Sequence, residues 1–390
     1  MVNIILLGLV SFFTDVSSEM VYPLVPLFLT VQLGATPAIV GVIEGLAEST
    51  ASLLKVFSGY WSDRLGRRKP LAITGYALST LGKGLFYLST SWGWVLCGRL
   101  ADRFGKGVRT APRDALIADS SDPRAYGLSF GLHRAMDTFG AVAGVAAAYF
   151  LLRHAPADFR PVFLYAVIPA AIGVFLLFFV REKRDRRSRT AQRLNLNWRE
   201  LDPRLKAFLA VVFLFTLGNS SNQFLLLRAQ NLGFPVRDVL LLYLVYVGVY
   251  GLLAYPAGRL SDRVGRRRLL VWGYLTYGLV YLGFALARQP ETLWPLFAAY
   301  GLYSAATEGV EKALVAAIAP AHQRGTLIGL HATLVGIGLL PASLFAGLLW
   351  KILGPAAPFY FGGAMGVLTA AALAVVLRRP AQAPSGRERP

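Results

Sequence analysis

The chain has a single cysteine, Cys97, in 390 residues. That excludes an intramolecular disulfide, and it excludes zinc or iron–sulfur sites built on several thiolates. Cys97 lies in an apolar run and reads as a small core residue. Histidine is nearly as scarce, at four, which leaves little for a soft-metal centre. Charge is thin as well: 16% of residues are charged against 55% hydrophobic, and the mean hydropathy is +0.51. A soluble protein of this size has too little interior to hide so much apolar surface, so a membrane protein is expected. Negative charge is the scarcer sign, with 21 Asp and Glu against 40 Lys and Arg, a net +19. In a soluble chain that excess would suggest nucleic acid. Here it sits largely in loops, where Lys and Arg hold segments on the cytoplasmic side. No basic, aromatic-bearing soluble domain is left over, so no nucleic-acid partner is expected. The sequence also lacks a Walker lysine motif and any catalytic constellation, so neither ATP hydrolysis nor another enzyme activity is expected. Met1-Val-Asn-Ile lacks a basic leader and a cleavage site, so the first apolar run is expected to be a retained helix.

What is present is a series of long apolar runs. Twelve spans are predicted, roughly 4–30, 37–62, 70–91, 93–118, 125–153, 160–181, 207–229, 236–260, 268–288, 291–319, 325–350 and 355–378. At about 1.5 Å per residue each is long enough to cross a bilayer. Connections on one side are short, as at Leu33–Pro37 and Pro355–Pro358. Those on the other side are basic, from Arg64 to Lys69, from Arg263 to Arg268, and in the tail after Arg378. The asymmetry places both termini in the cytoplasm. The longest connection, Arg181 to Lys206, carries ten Lys or Arg residues. It reads as a tether with a topology signal, and it divides a six-helix unit at 1–181 from a second at 207–379. Residues 182–206 form the linker, and 380–390 read as a disordered tail.

One stretch occurs twice. Gly59-Tyr-Trp-Ser-Asp-Arg-Leu-Gly-Arg-Arg-Lys-Pro70 returns as Gly258-Arg-Leu-Ser-Asp-Arg-Val-Gly-Arg-Arg-Arg-Leu269, 199 residues later. Gly131-Leu-His133 is echoed by Gly329-Leu-His331. A half-length repeat points to duplication, and repeats among long apolar runs are a mark of secondary transporters. The pattern Gly-x-x-x-Asp-Arg-x-Gly-Arg-Arg resembles the loop between helices 2 and 3 of the major facilitator superfamily, and its echo between helices 8 and 9. The resemblance implies an all-α membrane protein of twelve transmembrane helices in two pseudo-symmetric six-helix bundles. It further implies that helices 1, 4, 7 and 10 line a central cavity, and that the repeated loops form a cytoplasmic gate. In that gate Asp63 and Arg67 would work with Asp262 and Arg266. Asp63 would meet the chain near Gly325, and Asp262 the chain near Gly127. Arg113 and Asp114, near the cytoplasmic end of the fourth span, are assigned to the same gate.

The charges inside the spans agree with this plan, although they are read independently of the loop motif. Charges in hydrocarbon are costly and should face partners or a watery path. The first span holds Asp15 and Glu19, the fourth Arg99, Asp102, Arg103, Lys106 and Arg109. The seventh holds Asn219, Asn222 and Gln223, the tenth Glu308, Glu311 and Lys312. Asp15 and Glu19 are one helical turn apart on one face. Two carboxylates so close in low dielectric tend to hold one proton between them, which suits proton coupling; a structural pair neutralised by arginines of the fourth span is the other reading. Thr14 to Pro26, with its Pro-x-x-Pro and upstream acid, resembles helix 1 of twelve-helix drug/proton antiporters. Arg103-x-x-Lys106-Gly107 resembles the family's Arg-x-x-Gln-Gly motif, whose arginine is implicated in proton transfer, with Lys106 in place of Gln. Lys106, Arg109, Asn219, Asn222, Gln223, Glu308 and Glu311 are the expected cavity residues. Glu44, Glu48 and Lys55 of the second span, and His133 with Asp137 of the fifth, read as interhelical pairing. Tyr243, Tyr246 and Tyr250 form a stripe, either packing or an aromatic wall.

The resulting expectation is a monomeric secondary transporter in the cell membrane that works by alternating access and uses a proton gradient but no cofactor or metal. Its expected task is proton-coupled efflux of a small organic solute. A divalent-cation carrier using Asp15, Glu19, Asn219 and Asn222 is the alternative within transport, as is a carrier of an anion welcomed by the basic fourth span. A membrane receptor or scaffold that transports nothing is the alternative of a different class.

Overall fold

The computed structural model describes residues 2–65, 67–121, 126–154, 158–182, 201–319 and 324–376, and their regular structure is all helical. In chain order the rods are α1 (Val2–Gln32), α2 (Pro37–Leu65), α3 (Lys69–Leu88), α4 (Trp92–Asp119), α5 (Tyr126–His154) and α6 (Arg160–Leu177). Then follow α7 (Pro203–Asn231), α8 (Val236–Val264), α9 (Arg266–Leu286), α10 (Leu293–Ile318), α11 (Arg324–Leu353) and α12 (Ala357–Val376). Each span read from the sequence becomes one rod, with ends shifted by a few residues. Most of the basic connection and the whole of the tail, 183–200 and 377–390, lie outside the described residues.

Among the described residues, nine rods are long and apolar enough to cross a membrane on their own account; α3, α4 and α10 are not. In α4 the reason is the run of charges from Arg99 to Asp114, which only its neighbours can shield.

Two rods are irregular where a straight span is expected. In α1, Pro23 and Pro26 remove backbone donors, and the helix tightens to a 3-10 turn at Tyr22–Leu24 and widens to a π-type turn at Phe28–Gln32. The Thr30 hydroxyl donates to the Pro26 carbonyl at 2.9 Å. In α7 the helix stops at Gly218 and restarts at Gln223. The intervening Asn219-Ser-Ser-Asn222 side chains compete with the backbone for hydrogen bonds. Tyr277 donates to the freed Gly218 carbonyl at 2.9 Å, and the Ser221 amide donates to Ser343 Oγ at 3.3 Å.

One packing plan is used twice. In the first half α1 lies on α5 and α6, α4 on α2 and α3, and α3 on α6. In the second half α7 lies on α11 and α12, α10 on α8 and α9, and α9 on α12. The halves meet chiefly along two seams, α2 with α11 and α5 with α8. Small residues make the closest approaches possible. A Cβ on Gly41 of α2 would stand 2.3 Å from the Ser343 carbonyl of α11. Within the first half, Gly140 and Gly144 of α5 bear on the Phe12 and Val16 carbonyls of α1, where a Cβ would stand 2.5 and 2.3 Å away.

Twelve rods of alternating direction bring the start of α1 and the end of α12 to one end of the bundle. The opposite end is shut. There Leu24, Val25, Leu27 and Phe28 of α1 pack with Phe224–Leu226 of α7 and Leu240 of α8, all fully or almost fully buried. Thr30 reaches across to Gln230 at 3.4 Å. Towards the termini the contact between the halves is solvent-exposed: Arg134 of α5 pairs with Glu308 of α10 at 3.6 Å, and their side chains are 58% and 49% exposed.

Candidate transport cavity

Between the halves lies a cavity of about 390 Å³, within the range of small-solute sites. From the first half it receives Asp15 and Glu19 of α1, Glu48 of α2, Lys83 of α3, and Arg99, Asp102, Arg103, Lys106 and Arg109 of α4. From the second half it receives Asn219–Asn222 at the α7 break, Tyr243 of α8 and Glu308 of α10.

The first-half wall is an ion-pair block. Arg99 donates from Nε and Nη2 to the two oxygens of Glu44, both at 2.6 Å, and both side chains are almost wholly buried. A forked guanidinium on a carboxylate is the strongest such geometry. Asp102 stands 3.7 Å from Arg99 and accepts from Ser79 at 2.5 Å. Arg103 Nε lies 2.9 Å from Glu48. Its N–H points off that oxygen, so the contact is an ion pair and not a hydrogen bond. Both guanidinium groups lie over the Tyr22 ring, at 5.3 and 5.6 Å, close enough for cation–π attraction. Lys83 donates to Ser18 Oγ at 3.1 Å.

The second-half wall is amide and phenol. Asn222 accepts from Tyr300 at 2.6 Å and donates to Tyr246 at 3.3 Å; Asn219 donates to Tyr303 at 3.2 Å. Behind them the rings of Tyr277, Tyr281, Tyr300 and Tyr303 pack at tilted angles. The tyrosine stripe on α8 has distinct partners: Tyr243 donates across the halves to Glu19 at 2.9 Å, Tyr246 contacts Asn222, and Tyr250 accepts from Arg134 at 2.5 Å.

Most of the sequence-assigned cavity residues meet here. Asp15 and Glu19 share the cavity, and Asp15 makes neither a hydrogen bond nor an ion pair among the described residues. Arg103 lines it too, with Glu48 and Asp102 as its nearest carboxylates. Two assigned residues turn elsewhere. Glu311, about 60° round α10 from Glu308, accepts from Tyr274 at 2.9 Å and lies 3.1 Å from His331 Nε2. Gln223 is fully buried behind the wall, with both amide atoms unpartnered. His133 is buried and does not bond to Asp137, which accepts instead from Ser11.

The gate residues are described only in part. The Asp63 side chain lies outside the described residues, as do the surroundings of Gly127 and Gly325. Arg67 is exposed. Arg113 pairs with its neighbour Asp114 at 2.8 Å. Asp262 pairs with Arg266 of its own loop at 3.1 Å. Sequence reasoning missed the Glu44–Arg99 pair as the centre of the block. The spacing of Glu44 and Glu48 announces a polar face, and α4 supplies its partners. Among the described residues no cluster of three or more His, Cys, Asp and Glu is placed to hold a metal ion.

The family model of the Major Facilitator Superfamily matches residues 7–235 and 207–390. An uncharacterized MFS-type transporter, MJ1317, of Methanocaldococcus jannaschii is 37% identical over 94% of this chain and 93% of its own length. The multidrug resistance protein MdtH of Photorhabdus laumondii is 26% identical over 90% of this chain and 89% of its own. Among solved structures, the nucleoside transporter NupG superposes with a TM-score of 0.79 at 12% identity, covering 97% of this chain and all of that one. The human organic anion transporter MFSD10 superposes at 0.70 and 17%, covering 95% and 98%. At such identities the structures speak to the fold alone. The family match, the full-length relative, and a twice-used six-helix plan around a polar cavity make this chain a multi-pass membrane transporter of the major facilitator superfamily.

Proposed function

We propose that the protein exchanges protons for a small polar organic solute and moves that solute out of the cell by alternating access. In this reading it acts as a monomer in the cell membrane, with both termini and the basic loops cytoplasmic, and needs no cofactor beyond the proton gradient. The observation that carries the coupling is the placement of Asp15 and Glu19. They lie one turn apart in a cavity shut at the far end, Asp15 has no protein partner among the described residues, and Glu19 is tied across the halves to Tyr243. Carboxylates that meet solvent from one side in one arrangement, and from the other side after the halves rock, can carry a proton through the cycle. The likeness to MdtH supports the outward direction. Polarity of the solute follows from the wall itself, where charged, amide and phenol groups outnumber apolar ones.

Proteoliposomes with an imposed pH gradient test this. Asp15→Asn with Glu19→Gln is expected to abolish uphill solute movement while exchange at equal concentrations survives, since exchange needs no net proton movement. Full uphill transport by the double variant would remove the two acids from the coupling.

A further inference from the structure

Five charged cavity residues of the first half stand outside the ion-pair block, and three of them make no side-chain hydrogen bond among the described residues either; Glu19, held by Tyr243, and Lys83 are the other two. Glu44, Glu48 and Asp102 are engaged by Arg99 and Arg103, and Lys83 by Ser18. Lys106 and Arg109 of α4, and Asp15 of α1, line the cavity yet make no hydrogen bond or ion pair among the described residues. Arg109 is only 4% exposed, and its Nη1 is wholly buried with no partner. Its guanidinium is steadied over the Tyr76 ring, 4.2 Å from the centroid. Lys106 and Arg109 are three residues apart, on one face of α4. On the facing wall the Asn219 Oδ1 atom is likewise buried and unpartnered. Buried charges and polar atoms are normally satisfied. Here two cations, one carboxylate and one amide oxygen are left without a partner beside a single cavity, and helix packing holds the opposite charges more than an ion-pair distance apart.

We infer that the carried solute is a small zwitterion. Its carboxylate sits between Lys106 and Arg109, and its ammonium group is received by Asp15 and Asn219 Oδ1. A simple anion would leave Asp15 unmatched, and a simple cation would leave both bases unmatched. A zwitterion matches each with the opposite sign and adds no net charge to the cavity. The ammonium takes the place of a proton at Asp15, which fits exchange of solute for proton. The inference rests on the transport reading above and narrows its substrate class.

The test uses the purified full-length protein in detergent. Thermal unfolding is followed with a panel of zwitterionic amino acids of three to six carbons, each beside its carboxylate-only, amine-only and uncharged counterparts. Stabilisation is expected in the zwitterion series, since a ligand of the native state raises its apparent stability. Lys106→Gln and Arg109→Gln are each expected to weaken that binding by about ten- to a hundredfold, the size of a charge-assisted hydrogen bond. Lys106→Arg, which keeps the charge, is expected to retain most of it. If Arg109→Gln does not fold, the half-buried Lys106 pair of variants carries the test. Stabilisation confined to single-charge or neutral compounds overturns the inference. So does a panel in which no zwitterion stabilises, or zwitterion binding indifferent to both neutralisations. A zwitterion that binds through these residues but is not driven by a pH gradient leaves the inference standing and removes the coupling reading. A neutral solute driven by the gradient does the reverse.

Discussion

The two halves follow one packing plan and line the cavity with different chemistry. The first supplies nine charged side chains, the second one, Glu308, together with amides, hydroxyls and a phenol. Duplication therefore fixed where helices lie without fixing what they carry. In the first half Glu44, Glu48 and Asp102 are paired inside the half, by Arg99 and Arg103. Between the halves stand an exposed ion pair, Arg134 with Glu308 at 3.6 Å, the Tyr243–Glu19 hydrogen bond, and the two helix seams, with no buried ion pair among the described residues. A carrier whose halves must separate gains from this division, because a buried ion pair across the moving interface would be costly to break.

The contrast can be broken most severely at Glu44. Glu44→Gln removes the forked partner of buried Arg99, leaving it only the longer contacts to Asp102 and Glu48 at 3.7 and 3.9 Å, and is expected to cost at most about 3–5 kcal/mol of stability. On the opposite wall Asn222→Ala removes neutral hydrogen bonds and is expected to cost about 1–3 kcal/mol. Unfolding of the purified variants in detergent measures both, and equal losses would refute the contrast between walls. The seams come next. Gly41→Ala pushes a methyl into the Ser343 carbonyl, and overpacking of this kind costs about 1–3 kcal/mol. The shut far end should therefore be disfavoured, and a cysteine placed at Val25, which is fully buried there, should label faster in a Cys97→Ser background. Gly248→Ala, with nothing within 4 Å of the new methyl, should leave labelling unchanged. The smallest effect is expected in the basic linker. Neutralising Arg184, Arg186, Arg187 and Arg189 together should leave transport within error if the segment only tethers the halves and the remaining loops hold topology. Loss of transport by correctly inserted protein would assign that segment more than tethering.

The frame of the molecule was legible because hydrophobic length and the doubled Asp-Arg-x-Gly-Arg-Arg loop are local properties of the chain. The charged cavity was legible for a similar reason, since Asp15, Glu19 and the α4 cations stand out against apolar surroundings. Partners were not. Whether Arg103 meets Glu48 or Glu19 depends on how α4 is turned about its axis, and no spacing within α4 encodes that. Glu308 and Glu311 show the same limit: three residues apart, they end on different faces, one towards the cavity and one towards Tyr274 and His331. The α7 break was half legible. Asn219-Ser-Ser-Asn222 stood out as polar, but apolar residues on both sides made the span look continuous.

The plug at the far end has an electrical consequence. Voltage across a membrane falls where there is no water, and here that is the packed layer of Leu24, Val25, Leu27, Phe28, Phe224 and Leu240. Solvent reaching the cavity from the termini side brings the potential of that side nearly to Asp15 and Glu19. A proton that arrives from the far side and leaves through the cavity thus crosses almost the whole field within the thickness of this layer. Each such charge is worth about 2.3 kcal/mol per 100 mV, so a carrier working as proposed would respond to membrane voltage at a fixed pH difference.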